Sequence, residues 1–443
     1  MKVKLEEVER YERHVKMRLA FRFGVITVTD ATQAVIKVRV SLSDGRTSHG
    51  VAAEALAAKW FEKSPEFTDA QNLDQLRRSL DLAIELYRAQ GFDNAFDLFA
   101  GTYAEQQKRG AAQGLNPLVA AYGPALLDRA ILDALGRGTG KSFAAMISGN
   151  LPGIRATSLT PDITDSALAP FLAGLKAGWS IDVRHTVGLV DPLTAADRLA
   201  SERVNDGLPE TLEEVVSYYR GRYYKLKVGG DIKADLERLG RIAAVLDAGA
   251  GDYRATLDGN EQYDDVEGIV ELWRKAGETP ALARLRPVII DESDGELSSF
   301  PAALKLGYSG VSSKNCKGFY KSILNAARVA KLGAGHFMSA EDLTTWPGVS
   351  VQQDLALVSL LGMTHVERNA HHFIDGMSFA PEGEQKAFVS AHPDLYEKQD
   401  GKPARLKARG GKLALSSLNA PGFAVAADMD FKSMKPMAKG AST

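Results

Sequence analysis

The chain of 443 residues has a single cysteine, Cys316, which excludes an internal disulfide and a cysteine-built zinc site. That fits a reducing compartment. No run of about 18 apolar residues occurs, so no membrane-spanning helix is expected. The opening MKVKLEEVERYERHVKM alternates charges and contains no apolar segment of signal-peptide length, which points to the cytoplasm. Excess charge is missing too: 54 basic and 56 acidic residues give a net charge of -2, with no basic footprint for nucleic acid. With 45% hydrophobic and 25% charged residues, the composition is that of an ordinary soluble globular protein. At about 150 residues per domain, the length suggests two or three domains.

Residues 1–155 mix strand patterns such as AVIKVRVSL (34–42) with helical ones such as LDQLRRSLDLAIELYRAQ (73–90), an α+β domain. From about Trp179 short apolar strands alternate with amphipathic helices. The strand candidates are SIDVRHTV (180–187), YYKLKV (223–228), YRATLD (253–258), PVIIDE (287–292), GVSSKN (310–315), HFMSAED (336–342) and THVERN (364–369). Such repetition predicts a parallel sheet closing into a TIM-type (β/α) barrel over 156–412. Residues 413–443 form a short irregular segment that is expected to fold back on the first domain.

Active sites of such barrels lie at the C-terminal ends of the strands. In YYKLKVGGD, Lys225 and Lys227 share a face, about 6.6 Å apart at about 3.3 Å per residue. A lysine pair on a strand most often marks a solvated edge, but the flanking tyrosines, Leu226 and Val228 read as core. Asp258 and Asn260 share a face in TLDGNEQY, Asp291 ends VIIDESDGE, and Lys314 lies in VSSKNCKGF with Ser312 and Cys316 on its side. Lys317 beyond it reads as solvated. Asp258 and Asp291 can hold Mg²⁺, a hard cation that takes oxygen ligands. Lys225 would lower the pKa of Lys227, making Lys227 a base for a proton next to a carboxylate, while Lys314 acts from the opposite side. Arg184, His185 and Asn260 are candidate substrate contacts. Trp60 and Phe61 read as domain packing in preference to a closing loop.

Two decoys are set aside. GRGTGKS lacks the first glycine of a phosphate loop, Leu135 standing in its place. His371 and His372 are not spaced as helical metal ligands and are expected to line the mouth or cap its packing.

The runs KLKVGGD, LDGNEQY, IIDES and SSKNCKG together resemble the enolase superfamily, in the branch of mandelate racemase and muconate lactonizing enzyme. The resemblance covers nearly the whole chain and implies a capping domain followed by a modified (β/α)7β barrel. It places Lys225 and Lys227 on the second-strand motif, Asp258 and Asp291 on the third- and fifth-strand metal ligands, and Lys314 on the sixth-strand lysine. The implied activity is Mg²⁺-dependent abstraction of an α-proton from a small carboxylate, leading to racemisation, epimerisation, cycloisomerisation or dehydration. One feature departs from the pattern. Asp258 and Asp291 are 33 residues apart, room for about one βα step, and no Glu-Gln-Pro lies between them to supply the fourth-strand ligand. Either a strand is hidden in TPALARLR or a segment is absent. Glu292 alternates to the wrong face and Glu261 lies beyond its strand, so the third ligand is unassigned. The alternative is a non-catalytic carboxylate-binding barrel that has lost a ligand strand. Barrels of this kind often assemble, and a homo-oligomer is compatible with the sequence, which shows no patch that specifies one.

Overall fold

The computed structural model describes residues 1–23, 26–263, 266–278, 287–343 and 345–440. The first strands are long: β1 (Lys2–Phe23), β2 (Ile26–Leu42) and β3 (Thr47–Ala55) form an antiparallel meander, and β4 (Asp93–Asn94) pairs with the start of β1. Val15, Met17, Leu19 and Phe21 are buried at period two along β1, the mark of a strand with one packed face. Helices Asp69–Gln90 and Pro117–Thr139 cover the meander. The first starts at a capping box between Thr68 and Gln71, the second at an Asn116 cap with proline in its first turn. Gly50 of β3 meets the second helix so closely that a Cβ would stand 2.1 Å from the Ala130 carbonyl oxygen, so the approach requires glycine.

The second sheet contains β5 (Ser180–Val187), β6 (Tyr223–Lys227), β7 (Arg254–Asp258), β8 (Ile289–Ile290), β9 (Gly310–Ser313), β10 (Phe337–Ala340) and β11 (His365–Arg368). They run parallel in the order β7-β6-β5-β11-β10-β9-β8, each within one of the seven strand candidates. Helices such as Ile232–Gly249, Phe319–Leu332 and Val349–Leu360 connect them, as parallel pairing demands. The seven parallel strands curl into a half-barrel beside the antiparallel first domain, in keeping with the modified barrel and α+β domain expected from sequence. Its ends are β7 and β8, and no bridge joins them among the described residues. TPALARLR, the place named for a hidden strand, lies outside the described residues.

β12 (Tyr396–Glu397) and β13 (Arg405–Leu406) make a small antiparallel pair. β14 (Lys412–Ala414) then pairs antiparallel with β5, and β15 (Lys435–Pro436) with β1, so the last segment touches both sheets. Among the described residues no helix is long and apolar enough to cross a membrane.

Candidate active site

Alternation along β6 turns Lys225 and Lys227 to the inside of the curl. Lys225 Nζ lies 2.7 Å from Asp258 Oδ2, 2.5 Å from Glu341 Oε2 and 3.0 Å from Glu367 Oε2. Lys227 Nζ lies 2.6 Å from the same Asp258 oxygen and 2.7 Å from Asn260 Oδ1. Burial pulls the Lys225 pKa down, but Asp258, Glu341 and Glu367 more than offset it and hold the group well above the lysine range. Burial likewise pushes Asp258 up, and the two ammonium groups overcome it, leaving the carboxyl well below its usual range. The repulsion expected between the two lysines is thus offset by a counter-ion that they share.

A second corner forms where β8 meets β9. Lys314 Nζ lies 2.8 Å from Asp291 Oδ2 and 4.2 Å from the centre of the Trp60 ring. Lys317 is buried, contrary to the solvated position expected from sequence. Its Nζ is 2.6 Å from Ser312 Oγ, 3.1 Å from the Asp291 carbonyl oxygen and 3.4 Å from carboxylate oxygens of both Asp291 and Asp294. The turn Asn315–Lys317 folds that side chain back onto the two aspartates. Burial lowers the Lys314 pKa, while Asp291 and Glu292 more than compensate and keep it protonated. Trp60 and Phe61 are buried in edge-to-face contact, and Phe61 meets Tyr122 in the same way.

The third wall was not singled out from sequence. Glu341 follows β10 and Glu367 lies on β11, in the strand candidates HFMSAED and THVERN. Arg184 pairs with Glu341 and donates to the Ala340 carbonyl at 2.8 Å, and Thr186 donates to Glu367 at 2.6 Å. Burial raises the Glu341 pKa, and its neighbour Glu367, pushed up by burial but held down by Lys225 and Lys227, stays ionised. The missed signal was polarity at strand ends: two more acids stand where a core strand should be apolar. Behind this wall, Arg368 is fully buried between Asp342 and Asp354, tying the ends of β10 and β11 together.

The named site residues fall in two places. Lys225, Lys227, Asp258, Asn260, Asp291, Lys314 and Arg184 come together at the mouth, where Lys225 acts electrostatically on both Asp291 and Lys314. His185 does not join them. It faces the other side of β5, 3.4 Å from the His371 ring and edge-on to His372, and burial pushes its pKa down to about 3. A cavity of about 360 Å³ opens beside the mouth, lined by Trp60, Phe61, Lys63, Glu261, Glu292 and Glu296 among others.

The donor set does not fit Mg²⁺. Asp258 and Asp291 are each taken up by two lysines, the point on which Asp258, Glu341 and Glu367 converge is filled by the Lys225 ammonium group, and among the described residues no group of three or more His, Cys, Asp or Glu side chains is placed to hold a metal ion. Glu292 bonds to Asn260 and Lys63, and Glu261 to Lys63.

No family profile matches the chain, and no curated protein matches it. Solved structures do, and what they share with this chain is the fold, that of enolase-superfamily proteins. A dipeptide epimerase from Enterococcus faecalis, complexed with Mg and the dipeptide L-Leu-L-Tyr, superposes with a TM-score of 0.59 at 15% identity, over 96% of this chain and 99% of that one. A mandelate racemase/muconate lactonizing protein from Herpetosiphon aurantiacus gives 0.58 at 17% identity, over 96% and 99%. An enolase-superfamily member from Listeria innocua gives 0.60 at 13%, over 97% and 96%.

Proposed function

We propose that this mouth binds a small carboxylate and moves the proton on its α-carbon, as a racemase or epimerase does. The observation that carries the reading is the way the lysines are held. In its neutral form Lys227 has two N–H groups, matched by Asp258 and Asn260, which leaves its lone pair as the free position. That is the arrangement a general base needs. Lys225, fixed by three carboxylates, is the electrostatic partner, and Lys314 faces the substrate from the other corner, stabilising the negative charge that develops or returning the proton. Arg184 and Asn260 shape the pocket. Cycloisomerisation and dehydration share the first step and stay within the reading. Residues 1–155 serve as the cap, 156–412 as the barrel and 413–443 as the segment fastening one to the other. Mg²⁺ accompanies related folds, such as the dipeptide epimerases, but no step is routed through it here because the donor set does not fit it.

The test is α-proton exchange in D₂O, followed by NMR over a panel of 2-hydroxy acids, N-acyl amino acids and dipeptides. Exchange of at least one compound is expected, lowered about 10²–10⁴-fold in Lys227→Ala. Full retention of exchange in both Lys227→Ala and Lys314→Ala would remove the mechanism.

A further inference from the structure

We infer that the substrate carboxylate is received by the Lys314 ammonium group and not by a divalent cation. The inference rests on the reading of the mouth as a carboxylate site and adds how that site is charged.

Two observations lead there. The first is the ligand set. The fourth-strand ligand of the pattern would come from between Asp258 and Asp291, where no Glu-Gln-Pro occurs and residues 279–286, T-P-A-L-A-R-L-R, contain no acid. Glu261 reaches Lys63 and is half exposed, while Glu341 and Glu367 converge with Asp258 on the Lys225 ammonium group and are engaged further by Arg184 and Thr186. A hard cation needs about six oxygens, several of them carboxylate. Two aspartates already paired with lysines do not supply them.

The second is the count of donors. An ammonium group has three N–H bonds. Those of Lys225 meet three carboxylates, and Lys317 has partners on Ser312, Asp291 and Asp294. Lys314 meets one oxygen among the described residues, that of Asp291. Its remaining donors match the two oxygens of one carboxylate. The Trp60 ring over this ammonium keeps water off one side, which strengthens an ion pair formed there.

Calorimetry on chelator-treated full-length protein tests this with lactate as the probe. Lactate should bind equally, within about twofold, in EDTA and in millimolar Mg²⁺, and Mg²⁺ alone should give no isotherm. Lys314→Met should weaken lactate by tenfold or more, whereas Lys314→Arg, which keeps the charge, should stay within a few-fold. Lactate binding that needs Mg²⁺, or a Mg²⁺ isotherm abolished by Asp258→Asn, would overturn the inference. So would lactate that binds in neither buffer, because an anchor of this kind reads the carboxylate and not the rest of the molecule. The comparison of buffers uses the unaltered chain and holds even if Lys314→Met does not fold. Lys227→Met separates the two claims: it should retain lactate while losing α-proton exchange. Binding without exchange in the native chain would defeat the proposed activity and leave this inference standing.

Discussion

The two lysine corners of the mouth are built differently. At the β6–β7 corner, Lys225 is held by acids from three strands and Lys227 by the neighbouring strand's Asp258 and Asn260. At the β8–β9 corner, Asp291 is shared by Lys314 and Lys317, and Lys314 has one oxygen partner and an aromatic ring. Crowded with counter-charge, the first corner is a knot in which both lysines are held by shared oxygens. The second keeps a cation with donors to offer. The contrast teaches that equal residue types at matching strand ends are held differently, according to how many partners each one has.

The largest effect should come from cutting the knot. Lys225→Met leaves three buried carboxylates without their common cation and should cost about 3–5 kcal/mol in chemical denaturation. Lys314→Met should cost only about 1–3 kcal/mol, since Asp291 keeps Lys317 and Ser312. Equal losses would erase the distinction between the corners. Next comes Arg368→Met on the third wall, which strands Asp342 and Asp354. A loss of about 3 kcal/mol is expected, and a chain unfolding at native denaturant concentration would show that Arg368 does not hold β10 to β11.

A smaller, pH-dependent effect belongs to the face of β5 that points away from the mouth. His185 has a folded-state pKa of about 3, below the ordinary 6.5. Between those values the unfolded chain binds the proton and the folded chain does not, so stability falls as pH drops below about 6.5. The slope from one such group is about 1.4 kcal/mol per pH unit. His185→Gln should lessen the slope of the pH–stability curve between pH 6 and 4, with the adjoining His371 and His372, also pushed down by burial, supplying what remains; an unchanged slope would contradict the buried neutral histidine. Least of all, Lys63→Ala removes a partly exposed clasp between the cap and Glu261 and Glu292, and should change stability by no more than about 1 kcal/mol.

Much of this was legible in the sequence. Seven apolar segments with helices between them gave the parallel sheet, and period two placed Lys225 with Lys227 and Asp258 with Asn260. The same rule separates Arg184 from His185, because adjacent residues on a strand face opposite ways, and the structure sends the first to the mouth and the second to a histidine cluster. Glu341 and Glu367 were harder to see: the segments HFMSAED and THVERN carry other polar residues beside them, so the acids at the strand ends do not stand out. Lys317 was misjudged because a charge after a glycine-bounded turn is normally solvated, and only the tertiary approach of Asp291 and Asp294 buries it. The sequence interval of 33 residues between Asp258 and Asp291 matches the structure, in which no bridge joins β7 to β8 among the described residues.

The most direct test of the central claim is α-proton exchange by the metal-free native chain in D₂O, read beside Lys227→Met. The account predicts exchange of a carboxylate substrate in the presence of chelator, lost in the variant. Exchange that is absent from the native chain across the carboxylate panel, or equal in the variant, would contradict it.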